Sequence, residues 1–263
     1  MGKLQEMFAH ARRPQSGGGL GFVGKNKPSE KPRAAAVIVE FSTADAASAE
    51  SAIKEGADGL LFAWDGKQAS LDALKQAIDA ARSGEEKTVC GLEITSGWDD
   101  LTRESFEHLK EIGVNYVILP LEAPARLLAL QVQDLELVVS VPMHEGELYP
   151  IFIRNLTAFE GLAAVRLNFG LGRGISELSI EDILRYRAVR EAVRFPSLLS
   201  VESGITEADA YTLLTLGVHA VIIAAGRSND ATKKEIHHVR DLMEKVYHEE
   251  KESKEAFGLI PNR

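Results

Sequence analysis

Leu199-Ser-Val-Glu-Ser-Gly-Ile-Thr-Glu-Ala-Asp-Ala-Tyr-Thr-Leu-Leu-Thr-Leu-Gly-Val-His-Ala-Val-Ile-Ile-Ala-Ala-Gly-Arg-Ser228 reads as strand, glycine turn, capped helix, strand and a second glycine turn. Its apolar runs, 196–201 and 220–225, have the length of buried strands, and each runs on into a glycine where backbone N–H groups can approach an anion closely. In a closed barrel of eight parallel strands, the turns after strands 7 and 8 are where phosphate is commonly held. The segment therefore points to a fold and a ligand class. Its candidate anion contacts are Ser203, Gly204 and Ile205 in one turn and Gly226, Arg227 and Ser228 in the other.

The same unit recurs upstream. Apolar runs at 35–41, 59–64, 88–94, 116–121, 135–141, 164–169, 197–203 and 220–225 alternate with amphipathic stretches such as Leu71, Leu74, Ile78 and Phe106, Leu109, Ile112. Gly56, Gly113 and Gly217 stand where three of the helices end, supplying the left-handed residue that closes a helix before the next strand. Strands rich in Val, Ile and Leu, joined through helices, imply a parallel sheet covered on both faces. Eight such units in about 230 residues predict closure into a (β/α)8 TIM barrel, with an open doubly wound sheet as the alternative. No linker-like stretch interrupts the chain after residue 33, so one barrel domain is expected over 34–248, between an arm (1–33) and a tail (249–263).

At 263 residues, 45% hydrophobic and 26% charged, with a formal charge of −9, the chain has the balance of a globular protein without a general affinity for nucleic acid or anionic membrane. Any anion site must be local. A single cysteine, Cys90, excludes an intramolecular disulfide and a thiolate zinc cluster and fits a cytoplasmic setting. The opening residues carry no apolar signal core, and no window approaches the roughly 20 apolar residues of a membrane span.

The arm differs from the body. Leu4, Met7 and Phe8 would share one side of a short helix at 1–13, and the glycine-rich run that follows is unsuited to a packed element. Lys3, Arg12, Arg13, Lys25, Lys27, Lys31 and Arg33 make the arm basic. It reads either as a cover carrying positive charge to a ligand or as a loose terminus or homo-oligomer contact. Phe257, Leu259 and Ile260 in the tail suggest docking on the barrel or on a second subunit.

Val201-Glu-Ser-Gly-Ile-Thr206, Leu216-Gly-Val-His-Ala-Val-Ile-Ile223 and the glycine turn after them resemble the end of indole-3-glycerol-phosphate synthase and related ribulose-phosphate-binding barrels. Val37-Ile-Val-Glu-Phe41 is similar to that family's first strand, Gly56-Ala-Asp-Gly-Leu-Leu-Phe-Ala-Trp-Asp65 to its second, and Leu167-Asn168 to the start of the turn after its sixth. The resemblance implies the barrel and a phosphate site. Its catalytic lysines are missing: Ser42 and Leu92 stand at their places, the loop after strand 1 reads Thr43-Ala-Asp-Ala-Ala47, and Ser140 or a neighbour takes the place of a catalytic glutamate. Ring closure with decarboxylation needs those proton donors, so the synthase activity is not expected.

What remains near the strand ends is acidic and amide-bearing. Strand alternation puts Glu40, Glu93, Asn168 and Glu202 at the mouth, with Asp65, Glu122 and His144 within reach. The catalytic candidates are Glu93, His144, Asn168 and Glu202, with Glu93 or Glu202 paired with His144 as acid and base. The opposing reading is a structural cluster in which Arg166 neutralises Glu40 and Glu202. His237-His238 diverge on a helix and are a poor metal pair, and His219 belongs to the opposite, structural end. No metal site is expected, although carboxylates could take Mg2+. Gly170-Leu-Gly-Arg-Gly174 could touch phosphate but lacks a dinucleotide fingerprint. Three functions stay open: a lyase or isomerase on a phosphorylated small molecule without added cofactor, a non-catalytic binding or assembly barrel, and a flavin-mononucleotide barrel suggested by Ala225-Gly-Arg227.

Overall fold

A computed structural model describes residues 2–13, 31–84, 88–143, 150–169 and 174–256. Eight strands, β1 (Ala36–Phe41), β2 (Gly59–Trp64), β3 (Val89–Ile94), β4 (Tyr116–Pro120), β5 (Glu136–Pro142), β6 (Leu162–Asn168), β7 (Ser197–Val201) and β8 (Ala220–Ala224), pair in parallel in chain order, and β8 closes on β1. The helices are α1 (Lys3–Arg12), α2 (Ala46–Lys54), α3 (Leu71–Gly84), α4 (Arg103–Glu111), the single turn α5 (Pro150–Ile153), α6 (Ile180–Val193), α7 (Glu207–Leu216) and α8 (Asn229–Ala256). The closed (β/α)8 barrel is the expected fold. Every strand starts within two residues of its expected start; the largest departures are β6, which starts at Leu162, two residues before Ala164, and β7, which ends at Val201, two residues short of Ser203. α8 continues past residue 248, the expected end of the domain.

Alternation along the strands sorts the apolar residues into two cores. Val37, Val39 and Phe41 face outward and join the layer between sheet and helices, whereas Ala36 and Ile38 face the barrel axis with Leu61, Val89, Tyr116, Ile118, Val138, Ala164, Leu198, Ala220 and Ile222. Tyr116 fills space left by Gly91: a Cβ at that glycine would lie 2.0 Å from the tyrosine ring. Helix ends follow the local chemistry. Thr206 caps α7 by accepting from the Asp209 N–H while Asp209 accepts from the Thr206 N–H, and Gly56, Gly113 and Gly217 have φ of 98°, 106° and 68°, as their helix-closing role requires.

The arm's helix is where sequence reasoning is corrected. α1 neither covers the mouth nor lies loose; it seals the barrel's other end. Leu4, Met7, Phe8 and Ala11 are buried in the axial core. The Leu4 N–H donates to Glu136 (2.9 Å), and Arg12 donates to the Ala34 carbonyl (3.2 Å) and the Val218 carbonyl (3.0 Å). Beside it, the buried Arg33 guanidinium meets Asp58 at 2.5 Å, and Asp58 also accepts from the Val37 N–H. His219 packs edge-on against Phe8 and accepts from the Ser197 N–H (3.3 Å), a structural position as expected. Burial first, then Arg12 and Arg190, push its pKa down to about 4. The glycine-rich run at 14–30 and the tail residues Phe257, Leu259 and Ile260 lie outside the described residues.

Candidate functional site

At the C-terminal end of the strands, the axial core turns polar. Glu40 from β1, Glu93 from β3, Arg166 from β6 and Ser200 from β7 are all on inward-facing positions, and their side chains meet. The Arg166 guanidinium lies 2.7 Å from the Glu93 carboxylate and 3.3 Å from that of Glu40, and donates to the Ser200 hydroxyl at 3.2 and 2.8 Å. Its side chain is 9% exposed, those of the two glutamates 25%. The Glu40 and Glu93 carboxylates thus flank a single guanidinium. Burial raises the Glu40 pKa most, Arg166 opposes it, and the neighbouring Glu93 raises it again. For Arg166, burial works against the charge, but Glu40 and Glu93 outweigh it and hold the guanidinium more firmly ionised. The two carboxyls form a dyad anchored on one buried, permanent cation.

The partners of Arg166 differ from those expected. Glu93 takes the place assigned to Glu202, because β7 ends at Val201 and carries Glu202 out of the strand: it is exposed, and its carboxylate approaches Gly174 instead. Ser200, two residues earlier, holds the inward position, a role sequence reasoning missed; its strand parity was the available signal. Asn168 ends β6 on the same parity as Arg166 and is exposed at the rim. His144 and residues 170–173 lie outside the described residues. His237 approaches Glu55 (3.1 Å), whereas His238 bonds the Ile205 carbonyl (2.7 Å), so the two histidines diverge. Among the described residues, no three His, Cys, Asp or Glu side chains converge as a metal centre. Cys90 is buried, which pushes its pKa up to about 12 and leaves it a thiol.

Ser203, Gly204, Gly226, Arg227 and Ser228 are exposed while Ile205 is buried, and Gly204 adopts φ +76°. Two of the backbone donors already have partners. The Gly204 N–H donates to the carboxylate of Glu235 on α8 (2.8 Å), and the Gly226 N–H donates to the Thr232 hydroxyl (2.9 Å). An internal carboxylate therefore sits on one of the donors assigned to an external anion. Sequence alone gave no sign of it, since Glu235 lies 31 residues from Gly204.

Neither a family model nor a curated protein sequence matches the chain. Solved structures do. The ligand-free tryptophan synthase of M. tuberculosis is similar over 93% of this chain and 100% of that one, with a TM-score of 0.61 and 13% identity. Phosphoribosyl anthranilate isomerase from Thermus thermophilus gives 0.56 and 15% over 80% and 98% of the chains. A putative fructose-1,6-biphosphate aldolase from Coccidioides immitis gives 0.58 and 12% over 92% and 93%. At these identities the likeness establishes the barrel. No helix among the described residues is long and apolar enough to cross a membrane.

Proposed function

We propose that this protein is a lyase or isomerase that moves a proton on a phosphorylated small molecule at the barrel mouth. The observation that carries the reading is the partly buried Glu40–Glu93 dyad on Arg166, with the Glu40 pKa raised by burial. A carboxyl whose pKa is raised by burial can hold a proton and deliver it to a carbonyl or departing oxygen, and Arg166 stabilises the carboxylate left behind. Glu40 is the proton-bearing group and Glu93 its partner. Asn168 and Glu202 orient the substrate from the β6 and β7 rim, and His144 is a second acid–base candidate. The phosphate would rest on Ser203, Gly204, Ile205, Gly226, Arg227 and Ser228, with Glu235 giving up the Gly204 N–H. The barrel is shared with the isomerase and the aldolase above, which agrees with this reaction class. Indole-3-glycerol-phosphate synthase turnover is not part of it, because Ser42 and Leu92 cannot act as the lysines of that chemistry.

The test is solvent exchange. Incubated in D2O with ribulose 5-phosphate, glyceraldehyde 3-phosphate and related sugar phosphates, the protein should introduce deuterium at a carbon next to a carbonyl in at least one of them, read by mass spectrometry. Glu40→Gln should lower that rate at least 100-fold. Exchange equal to the uncatalysed rate across the panel would overturn the reading. It would favour the second one, a non-catalytic binding or assembly barrel. The observation behind that alternative is the engagement of Gly204 and Gly226 by the chain's own side chains.

A further inference from the structure

A cleft of about 420 Å3 opens beside the dyad, lined by Ser42, Thr43, Ala44, Ala63, Trp64, Asp65, Ser70, Ala73, Leu74 and Thr95. Its position follows from strand parity. Ser42 lies two residues beyond Glu40, Thr95 two beyond Glu93, and Ala63 pairs in register with Glu93. The cleft is thus the next layer outward from the two carboxyls, walled on its far side by the start of α3. We propose that it is a binding subsite for an uncharged, mainly apolar group bearing a hydroxyl, the non-phosphorylated end of the substrate.

The lining selects that chemistry. Ala44, Ala63, Ala73, Leu74 and the Trp64 indole supply apolar contact, and the Trp64 N–H is already spent on the Lys67 carbonyl (3.0 Å) and the Ser70 hydroxyl (2.9 Å). Thr95 donates to the Trp64 carbonyl and keeps lone pairs to accept with. Ser42 and Thr43 make no side-chain hydrogen bond among the described residues, so their hydroxyls are open to a ligand. The charged group in the lining is Asp65, paired with Lys67 at 2.7 Å. With no cation in the wall, an anionic group gains no partner there. The volume falls within the range of small-molecule sites.

The topology links this cleft to the turns assigned to phosphate. β1 pairs with β8 on one side and β2 on the other, so a molecule reaching from the β7–β8 turns to the cleft passes over the end of β1, where Glu40 stands. Assigning both sites to one molecule rests on the function proposed above; the cleft's own selectivity does not.

Trp98→Phe leaves Trp64 as the sole tryptophan, since the chain has two, and makes its emission a reporter of the cleft. Benzyl alcohol should change that emission saturably, with benzoate at least tenfold weaker. Ala73→Phe, at an exposed position of α3, should fill the cleft and weaken benzyl alcohol at least tenfold. Ser42→Ala should weaken it about threefold while leaving toluene unchanged. A non-saturable response, equal binding of benzoate, or indifference to both variants overturns the subsite; because Ser42→Ala is a minimal change, a misfolded Ala73→Phe does not remove the test. Inorganic phosphate followed by 31P NMR separates the two claims. Benzyl alcohol binding without phosphate binding keeps the cleft and removes the phosphate reading, and the reverse removes the cleft alone.

Discussion

The two ends of the barrel are made by the same eight strands and differ in almost every physical respect. The N-terminal end is closed by α1 and filled with Leu4, Met7 and Phe8, and its imidazole, His219, is kept neutral by burial. The C-terminal end keeps three charged side chains partly in water, with small residues such as Ala63, Ser140 and Ser200 around them. The sealed end carries charge as well, but its Arg33–Asp58 pair is closed off from water, whereas the two glutamates at the other end stay a quarter exposed. Both ends also hold a backbone N–H on a carboxylate distant in sequence: Leu4 on Glu136 and Gly204 on Glu235. At the sealed end this ties down a helix, whereas at the open end it occupies a donor that a ligand could use.

Removing the seal should have the largest effect. Phe8→Ala, which empties a fully buried position against His219, should cost about 3–4 kcal/mol in urea unfolding, and a loss below about 1 kcal/mol would show that α1 is not part of the cooperative core. At the open end, Arg166→Met should cost about 2 kcal/mol at pH 7, less than a fully buried pair because the glutamates are a quarter exposed. Adding Glu40→Gln and Glu93→Gln to that variant should restore most of the loss, since the uncompensated carboxylates are then gone.

Acid should act on His219 at the sealed end and Glu40 at the mouth with opposite sign. His219 has a depressed folded pKa, so the unfolded chain takes up protons first as pH falls from the ordinary 6.5 towards about 4, and stability is lost across that interval. Glu40 has a raised folded pKa, so its contribution is full below the ordinary 4.5 and is lost as pH rises through the folded value. Unfolding midpoints measured from pH 7 to pH 4 should therefore fall less steeply in His219→Gln and more steeply in Glu40→Gln. Matching slopes in the two variants would erase the distinction. The smallest change in stability is expected for Glu235→Gln, within about 0.5 kcal/mol for an exposed turn. Its readout is ligand binding: inorganic phosphate should bind at least threefold tighter by 31P NMR once the carboxylate charge is gone, and unchanged affinity would mean that Glu235 does not compete for that donor.

The barrel was legible because strand identity is written locally. Runs such as Gly59–Trp64 carry their own length, β-branched or aliphatic content and bounding turns, and the structure returns that strand without change. The mouth was legible only in part. Parity correctly put Glu40, Glu93 and Arg166 on inward positions, but which carboxylate reaches the guanidinium depends on strand stagger and on where β7 stops, neither of which is a local property. That is why Glu202 was assigned to a cluster that Glu93 occupies. The seat of α1 is hidden for the same reason. Its amphipathic side is plain in the sequence, but its partners are Ala34, Glu136 and Val218, and no local pattern states such contacts.

The grip of Arg12 on the carbonyls of Ala34 and Val218 has a consequence for the order in which the molecule is assembled. One of those carbonyls immediately follows the arm; the other lies 206 residues beyond Arg12, at the doorstep of the strand that completes the ring. During synthesis, α1 is made long before its full seat exists, and Leu4, Met7 and Phe8 have no finished surface to enter until β8 pairs with β1. The plug is consequently a late contact, and a chain lacking β8 carries an exposed greasy helix. Full burial of α1 therefore waits for the completed ring, and protection of its amides from hydrogen exchange should rise when the last strand pairs.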